Sequence, residues 1–322
     1  MADSRNKRSV DPVKQAVSAC VTGHVRDSET LVVAFSGGLD STVLLHAARQ
    51  TLDGFKTRLS AIHVNHGLSP NADTWASSCA SFCRQIEVPL RVCRVNLTMN
   101  TGEGIEGEAR RLRLVELSRH SAQWVLLAHH ADDQAETLLH NLLRGTGVRG
   151  AAAIPGRRDK FLRPFLRLGR GILKDYADAE GLQWIDDESN QDLKYTRNYL
   201  RAKVLPILRV RYPSASEQLA AAAERFGEAN QLLNDLALVD LADTPAEFPL
   251  PIGILIELPE SRARNLLRAL LAWQGVQAPD EVRLKEFLRQ LRTVGNDKRP
   301  LLSLATYSLW CEKRQLNFKR SA

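Results

Sequence analysis

No Cys-x-x-Cys pair occurs anywhere in this chain of 322 residues, and its five cysteines, Cys20, Cys79, Cys83, Cys93 and Cys311, are odd in number and scattered. That excludes a disulfide framework and the paired thiols of sulfur or cluster chemistry, and it predicts reduced thiols and a cytoplasmic protein. Cys79 and Cys83, four apart on an expected helix, share a face as small apolar packing residues do. Aromatic residues make up only 6% of the chain, too few for stacking platforms to be read from their spacing. No uninterrupted apolar run approaches the roughly 18 residues of a membrane span, and the opening MADSRNKRSVDPVKQAV lacks the apolar stretch of a secretory signal. A soluble protein without membrane contact is expected. Gly-Lys-Ser/Thr is missing as well, so the lysine that reaches the β- and γ-phosphates in a Walker A loop is absent and γ-phosphoryl transfer is disfavoured.

What is present is another kind of phosphate cradle. From Thr30 the chain reads TLVVAFSGGLDSTVLLHA, a β-branched run that stops at Ser36-Gly37-Gly38-Leu39-Asp40-Ser41 and restarts with helical spacing. Glycines let backbone N–H groups approach a ligand, the serines offer hydroxyls, and the new helix presents its positive end. Asp40 stands where a carboxylate can share a magnesium ion with a polyphosphate. The bland alternative is a glycine turn that merely joins strand to helix.

The run repeats as a pattern. Strands are expected at 31–35, 59–64, 90–95 and 124–128, and helices at 40–51, 72–87, 106–120 and 132–143. Such alternation predicts an α/β fold with a Rossmann-like parallel sheet covered on both faces, and ligands in such sheets sit beyond the carboxyl ends of the strands. SGGLDS follows the first strand, HVNHGLS closes the second and AHHADDQAE follows the fourth, so three polar clusters should meet at one rim. The stretch RGTGVRGAAAIPGRR after Leu143 reads as an exposed loop. Pro213 and Ser214 mark an expected boundary, giving a catalytic domain over 1–213 and a mostly helical positioning domain over 214–322. Further helices are expected at 170–180, 216–241, 261–273 and 280–292, with a hairpin-like end.

Forty-four Lys and Arg against 37 Asp and Glu leave a net charge of +7. Residues 157–211 hold 13 basic and 8 acidic residues, five of those seven net charges. A solvated helical face would account for this; a surface that follows an RNA backbone accounts for it better. Arg197, Asn198, Arg201 and Lys203 lie on the helix concerned.

Other candidates carry two readings each. Asp132 and Asp133 could cap a helix, and Asp133 and Glu136, three apart, project from one face, with Asp132 pointing elsewhere. Adjacent His129 and His130 should point to opposite sides with no third imidazole suitably spaced, which favours substrate contact over zinc. His63 and His66 could be structural, although the strand end puts at least one near the nucleotide. Arg110 and Arg111 could pair with Glu106 and Glu108 within their helix.

SGGLDS at 36–41, HVNHGLS at 63–69, GIEGEARRLR at 104–113, AHHADDQAETLLHNLLRGTGVRG at 128–150, RPFL at 163–166 and DESNQDLKYTRNYLRAKVLP at 187–206 together resemble the tRNA(Ile)-lysidine synthetase family of PP-loop ATP pyrophosphatases. The resemblance implies that ATP, with magnesium at Asp40, adenylates O2 of the wobble cytidine in the CAU anticodon of tRNA(Ile). L-lysine then attacks C2 and expels AMP. It implies a nucleotide site built from Ser36, Gly37, Gly38, Leu39, Asp40, Ser41 and His63. Arg110 would face the α-phosphate, His129, Asp133 and Glu136 would hold substrate, with Asp133 taking part in catalysis, and Arg197 and Arg201 would contact tRNA. A homodimer is compatible with this reading. Two other substrate classes remain in view: a tRNA thiolase, which would want paired cysteines, and a glutamine-dependent ligase, which would want a cysteine where Ala2 stands. A vestigial tRNA-binding adaptor would be expected to have lost Asp40 or the serines.

Overall fold

Leu31 and Val33 pack into one core with Val13, Val17 and Leu44, while Val32, between them, packs into a second with Ile62 and Val125. The strand that carries them, β1 (Thr30–Ala34), is therefore covered on both faces, as its unbroken apolar composition requires. The computed structural model describes residues 11–52, 57–65, 67, 69, 71–95, 104–186, 196–293 and 300–321. Two compact units divide between Gly227 and Glu228.

In the first unit β1 pairs in parallel with β2 (Arg58–Asn65) on one side and β4 (Trp124–Leu126) on the other, with Leu31 opposite both Leu59 and Trp124. Outside them lie β3 (Leu90–Arg94), parallel to β2, and β6 (Phe161–Leu162), parallel to β4, while β5 (Arg157–Arg158) closes the edge antiparallel to β6. The order is β3-β2-β1-β4-β6-β5. The chain leaves β1 toward β3 and then crosses back to β4, so the loops that follow β1 and β4 diverge side by side and open a crevice. Intervening helices are α2 (Leu39–Thr51), α3 (Ala72–Gln85), α4 (Gly104–Arg119) and α5 (Ala131–Leu143), whose ends lie within two residues of the expected ones.

Four elements of this unit were not expected. An amphipathic helix α1 (Pro12–His24) is capped by the Asp11 carboxylate, which accepts from Val13 N–H at 2.9 Å, and buries Val13, Val17 and Val21. Strands β5 and β6 have two residues each, too short for any periodicity. The expected exposed loop after α5 contains a one-turn helix, α6 (Val148–Ala151), with Ala151 buried. Gln134 explains this: its side chain donates to the Ile154 carbonyl at 2.7 Å and accepts from the Ile154 N–H at 2.8 Å, while Asn141 bonds the Gly150 carbonyl. The segment is tied to α5 at both ends.

Helix α7 (Arg170–Ala179) packs on α2 through a buried hydrogen bond of 2.9 Å between His46 Nδ1 and the Tyr176 hydroxyl. Beyond the undescribed residues 187–195, α8 (Thr196–Tyr199) runs into a π-helical turn, Leu200–Val204, and then α9 (Leu205–Arg211). Pro206 sits in the first turn of α9; it has no N–H to donate backwards and its ring crowds the carbonyl four residues earlier, which favours the wider turn before it. Helix α10 (Ala215–Leu241) crosses the division between units. The sequence punctuation lies earlier, at Pro213, but Leu219, Ala222, Ala223 and Phe226 cluster with Leu138 and Ala151, which ties the first turns of α10 to the first unit.

The second unit carries α11 (Ile252–Glu257), α12 (Glu260–Trp273) and α13 (Glu281–Arg292). With them is an antiparallel sheet of β7 (Leu250–Pro251), β8 (Leu301–Ser303), β9 (Tyr307–Glu312) and β10 (Gln315–Arg320), ordered β7-β10-β9-β8. Leu266, Leu270, Phe287, Leu291, Leu309 and Leu316 share its core. The expected hairpin end is thus part of a four-stranded sheet.

Candidate functional site

A cleft of about 530 Å³ opens at the carboxyl ends of β1, β2 and β4, where all three polar clusters converge. Its floor begins with the glycine turn. Gly37 has φ +87°, and a Cβ there would lie 2.7 Å from Ile185 Cδ1 and 2.9 Å from Cys79 Sγ. The Gly37 carbonyl accepts from Ile185 N–H at 2.9 Å, so the turn is clamped by a segment 148 residues later. Gly37→Ala is expected to cost on the order of 1–3 kcal/mol through the left-handed backbone alone, and further through displacement of Ile185. A urea melt of the variant checks this.

Gly38 caps α2, and Ser36 and Ser41 bond each other at 3.0 Å across the turn. Asp40, in the first turn of α2, faces the cleft with its Oδ2 3.5 Å from His130 Nε2 and its Oδ1 3.7 Å from Arg170 Nε. That Oδ1 is buried with no hydrogen-bond partner among the described residues. An orphaned carboxylate oxygen beside a phosphate cradle fits magnesium. Among the described residues no three His, Cys, Asp or Glu side chains gather as a metal cage, so a hard divalent ion here would take one carboxylate and the substrate's phosphates, as magnesium commonly does.

From β2, His63 is buried on the cleft wall with Nδ1 2.9 Å from the Phe35 carbonyl, which orients its ring; His66 lies outside the described residues. From β4, His129 and His130 both line the cleft rather than pointing apart, because His130 has left the strand to become the N-cap of α5. Its Nδ1 accepts from Asp132 N–H at 3.2 Å, and Asp133 Oδ2 accepts from His130 N–H at 3.0 Å, which completes a capping box. The capping bond needs the Nδ1 lone pair, so the ring's proton sits on Nε2, toward Asp40 and Asp133. Burial opposes protonation of His130, but Asp133 and then Asp40 outweigh it and hold its pKa above the usual value.

His129 behaves oppositely. Burial first, then Arg163, Arg110 and Arg113, push its pKa down to about 3 against the pull of Asp133, and its Nδ1 has no hydrogen-bond partner among the described residues. Unfolded histidine takes a proton near pH 6.5, which the folded site refuses, so the stability contributed above that pH is lost as pH falls toward 3. The slope of urea stability between those limits should therefore flatten in His129→Gln.

The carboxylate pair of α5 does not stand open. Arg201, expected to face RNA, donates from Nε to Glu136 Oε1 at 2.6 Å, from Nη2 to Glu136 Oε2 at 2.9 Å and to Asp133 Oδ1 at 3.2 Å. Glu136 is only 3% exposed in its side chain, whereas Arg201 keeps 40%. The environments separate the two acids. Burial dominates at Glu136 and raises its pKa despite Arg201, while at Asp133 burial is outweighed by His130, His129 and Arg201 and the pKa falls. Asp132 does point elsewhere, to Arg209 at 2.8 Å.

Arg110 is exposed and is not part of the cleft wall, although its charge is felt at His129; Arg113, one turn on, lines the cleft. Arg197 is half-buried near the far end of α5, where its charge reaches His140. Sequence reasoning passed over Arg113, Trp75, Ile185, Asp186 and Arg170, all of which line the cleft. Only Arg113 had a signal, its helical spacing from Arg110.

The PP-loop domain family matches residues 7–208, and the TilS substrate binding domain matches residues 250–316. Curated relatives named tRNA(Ile)-lysidine synthase include those of Nitrosomonas europaea, 36% identical over 99% of this chain and 71% of that one, and of Azoarcus sp., 41% identical over 93% and 66%. That of Aromatoleum aromaticum is 43% identical over 84% of this chain and 65% of its own. The chain thus spans about two thirds of the length of these relatives. Among solved structures, a tRNA thiolase of Methanococcus maripaludis matches 67% of this chain and 78% of its own with a TM-score of 0.57 and 17% identity, a likeness of fold. On the matched residues and the length of the relatives covered, this chain belongs to the tRNA(Ile)-lysidine synthase family.

Proposed function

We propose that the chain ligates L-lysine to C2 of the wobble cytidine in the CAU anticodon of tRNA(Ile), with ATP cleaved to AMP and pyrophosphate. The observation that carries this is His130 Nε2 standing within 3.6 Å of both Asp40 and Asp133 beside a glycine turn that has no lysine. A Walker lysine would draw chemistry to the γ-phosphate; here the donors of Ser36, Gly38 and Ser41 face the leaving pyrophosphate, so attack falls at the α-phosphorus. Magnesium at Asp40, when bound, supplies charge neutralisation of that leaving group. Arg113 is the arginine of α4 best situated for charge on the α-phosphate, with Arg110 behind it near His129. The apolar wall of Ile62, Val64 and Leu117 suits a base.

Cytidine O2 attacks the α-phosphorus, pyrophosphate departs, and C2 becomes electrophilic. Lysine's ε-amine then adds to C2 and AMP leaves. A free lysine amine has a pKa of about 10.4, so one proton must be taken up. Asp133, held ionised, anchors an ammonium; Glu136, with its raised pKa, accepts the proton. Exposed Tyr199, Lys203, Arg211 and Tyr212 on the α8–α9 stretch offer the basic and aromatic surface for RNA. The unit 228–322 positions the tRNA. Burial pushes the Cys79 thiol up to about 12 and those of Cys20 and Cys83 to about 11, which disfavours a thiolase.

The test is a transcript of tRNA(Ile) with a CAU anticodon, ATP and labelled lysine. Lysine is expected in the tRNA; sulfur incorporation from a persulfide donor instead would favour the thiolase.

A further inference from the structure

We propose that Arg170 is the phosphate clamp of this site: a cation carried to the nucleotide by α7, standing in for the lysine that the glycine turn lacks. It rests on the reading above that ATP occupies the cleft. Arg170 is the first residue of α7, and its guanidinium lines the cleft with Nε 3.7 Å from Asp40 Oδ1. That separation is an ion pair without a hydrogen bond, since Asp40 Oδ1 has no hydrogen-bond partner among the described residues. About half of the Arg170 side chain, 51%, is exposed. An exposed pair of this kind holds little structure together.

The position of α7 is secured by other means. His46 and Tyr176 bond at 2.9 Å on the side of α7 facing α2, the helix that also carries Asp40. Lys14 of α1 bonds Glu180 at 2.9 Å just past the end of α7, and the Leu168 carbonyl just before it accepts from Ala131 N–H at 2.9 Å. The first residue of α7 is thus fixed from several elements, with its own side chain left pointing at the phosphate cradle.

The other arginines on the cleft wall are engaged or lie elsewhere. Arg201 bridges Glu136 and Asp133, and Arg113 has its electrostatic reach at Asp133 and His129. Among the described residues Arg170 is the guanidinium paired with Asp40 Oδ1. Asp40 would hold a divalent ion and supply charge neutralisation on one side of the polyphosphate, while the planar fork of Arg170 binds phosphate oxygens in pairs from the other.

The experiment is equilibrium dialysis of ATP with magnesium against the full-length wild type, Arg170→Ala and Arg170→Lys, accompanied by melting curves. Arg170→Ala is expected to weaken ATP binding by about tenfold to a hundredfold with an unchanged melting temperature, and Arg170→Lys to recover part of it. In the ligation assay the KM for ATP should rise while the KM values for lysine and tRNA stay within about twofold. ATP binding by Arg170→Ala within twofold of wild type would overturn the clamp alone. A merely structural residue would lower the melting temperature and shift all three KM values together, with no recovery in the lysine variant, which also overturns it. Wild type that binds no ATP would remove the nucleotide reading and the clamp with it.

Discussion

Asp40→Asn should lower AMP formation by about a thousandfold while tRNA binding stays within about twofold of wild type. The substitution keeps the shape of the side chain and the first turn of α2, so the glycine turn survives. What it removes is the negative charge of an oxygen that is buried, turned to the cleft and without a hydrogen-bond partner among the described residues. Asp40 is the one acid of the turn, and Asp133 and Glu136 on α5 are engaged by Arg201. Without a shared cation the pyrophosphate leaves poorly, whereas the RNA surface is untouched. Single-turnover AMP release together with filter binding of tRNA reads both halves. Adenylation that survives the change would show that magnesium is held by other groups.

Arg201→Gln carries the second large effect, and it runs through lysine. Removing one partner from a buried ion pair costs roughly 3–5 kcal/mol. With 40% of the Arg201 side chain exposed, about 2 kcal/mol is the better expectation. The melting temperature should fall by several degrees. The loss leaves Asp133 and Glu136 without their guanidinium, and the substrate's ammonium can take its place. Free lysine should therefore raise the melting temperature of Arg201→Gln distinctly more than that of wild type, where the amine must first displace Arg201. Leucine, which lacks the second ammonium, should not do so. Equal shifts in wild type and variant would move lysine to another part of the cleft.

Much of the first unit was legible because its signals are local. The unbroken apolar run of β1, the Gly-Gly turn and the restart of helical spacing at Leu39 lie within one window, and the same alternation recurs three times before Leu143. Convergence of the three polar clusters followed from topology, since loops after β1, β2 and β4 must share a rim. Helix α1 had a signal that was passed over: Asp11-Pro12 is an N-cap followed by a favoured first residue, and Val13, Val17 and Val21 repeat every four. Its apolar stripe is narrow and lies among polar neighbours.

What was not legible depends on contacts between distant residues. Arg201 sits 65 positions from Glu136, and no spacing rule says that a basic residue on an RNA-like helix will turn inward to a carboxylate pair. The π-turn before Pro206 helps to aim it there. Arg170 belongs to no cluster in the sequence and reaches Asp40 because distant residues, Tyr176 and His46 among them, hold α7 against α2. The preference for Arg110 over Arg113 rested on resemblance, and the rotation of α4 that exposes Arg110 while Arg113 lines the cleft cannot be read from a helix without its neighbours.

The central claim is that the turn at residues 36–41 directs attack to the α-phosphorus of ATP. Chromatography of the nucleotide products, with ATP labelled at the α-phosphate and the tRNA(Ile) transcript present, tests it directly. Label recovered as AMP, with one pyrophosphate released for each, is the predicted result; label recovered as ADP would contradict it.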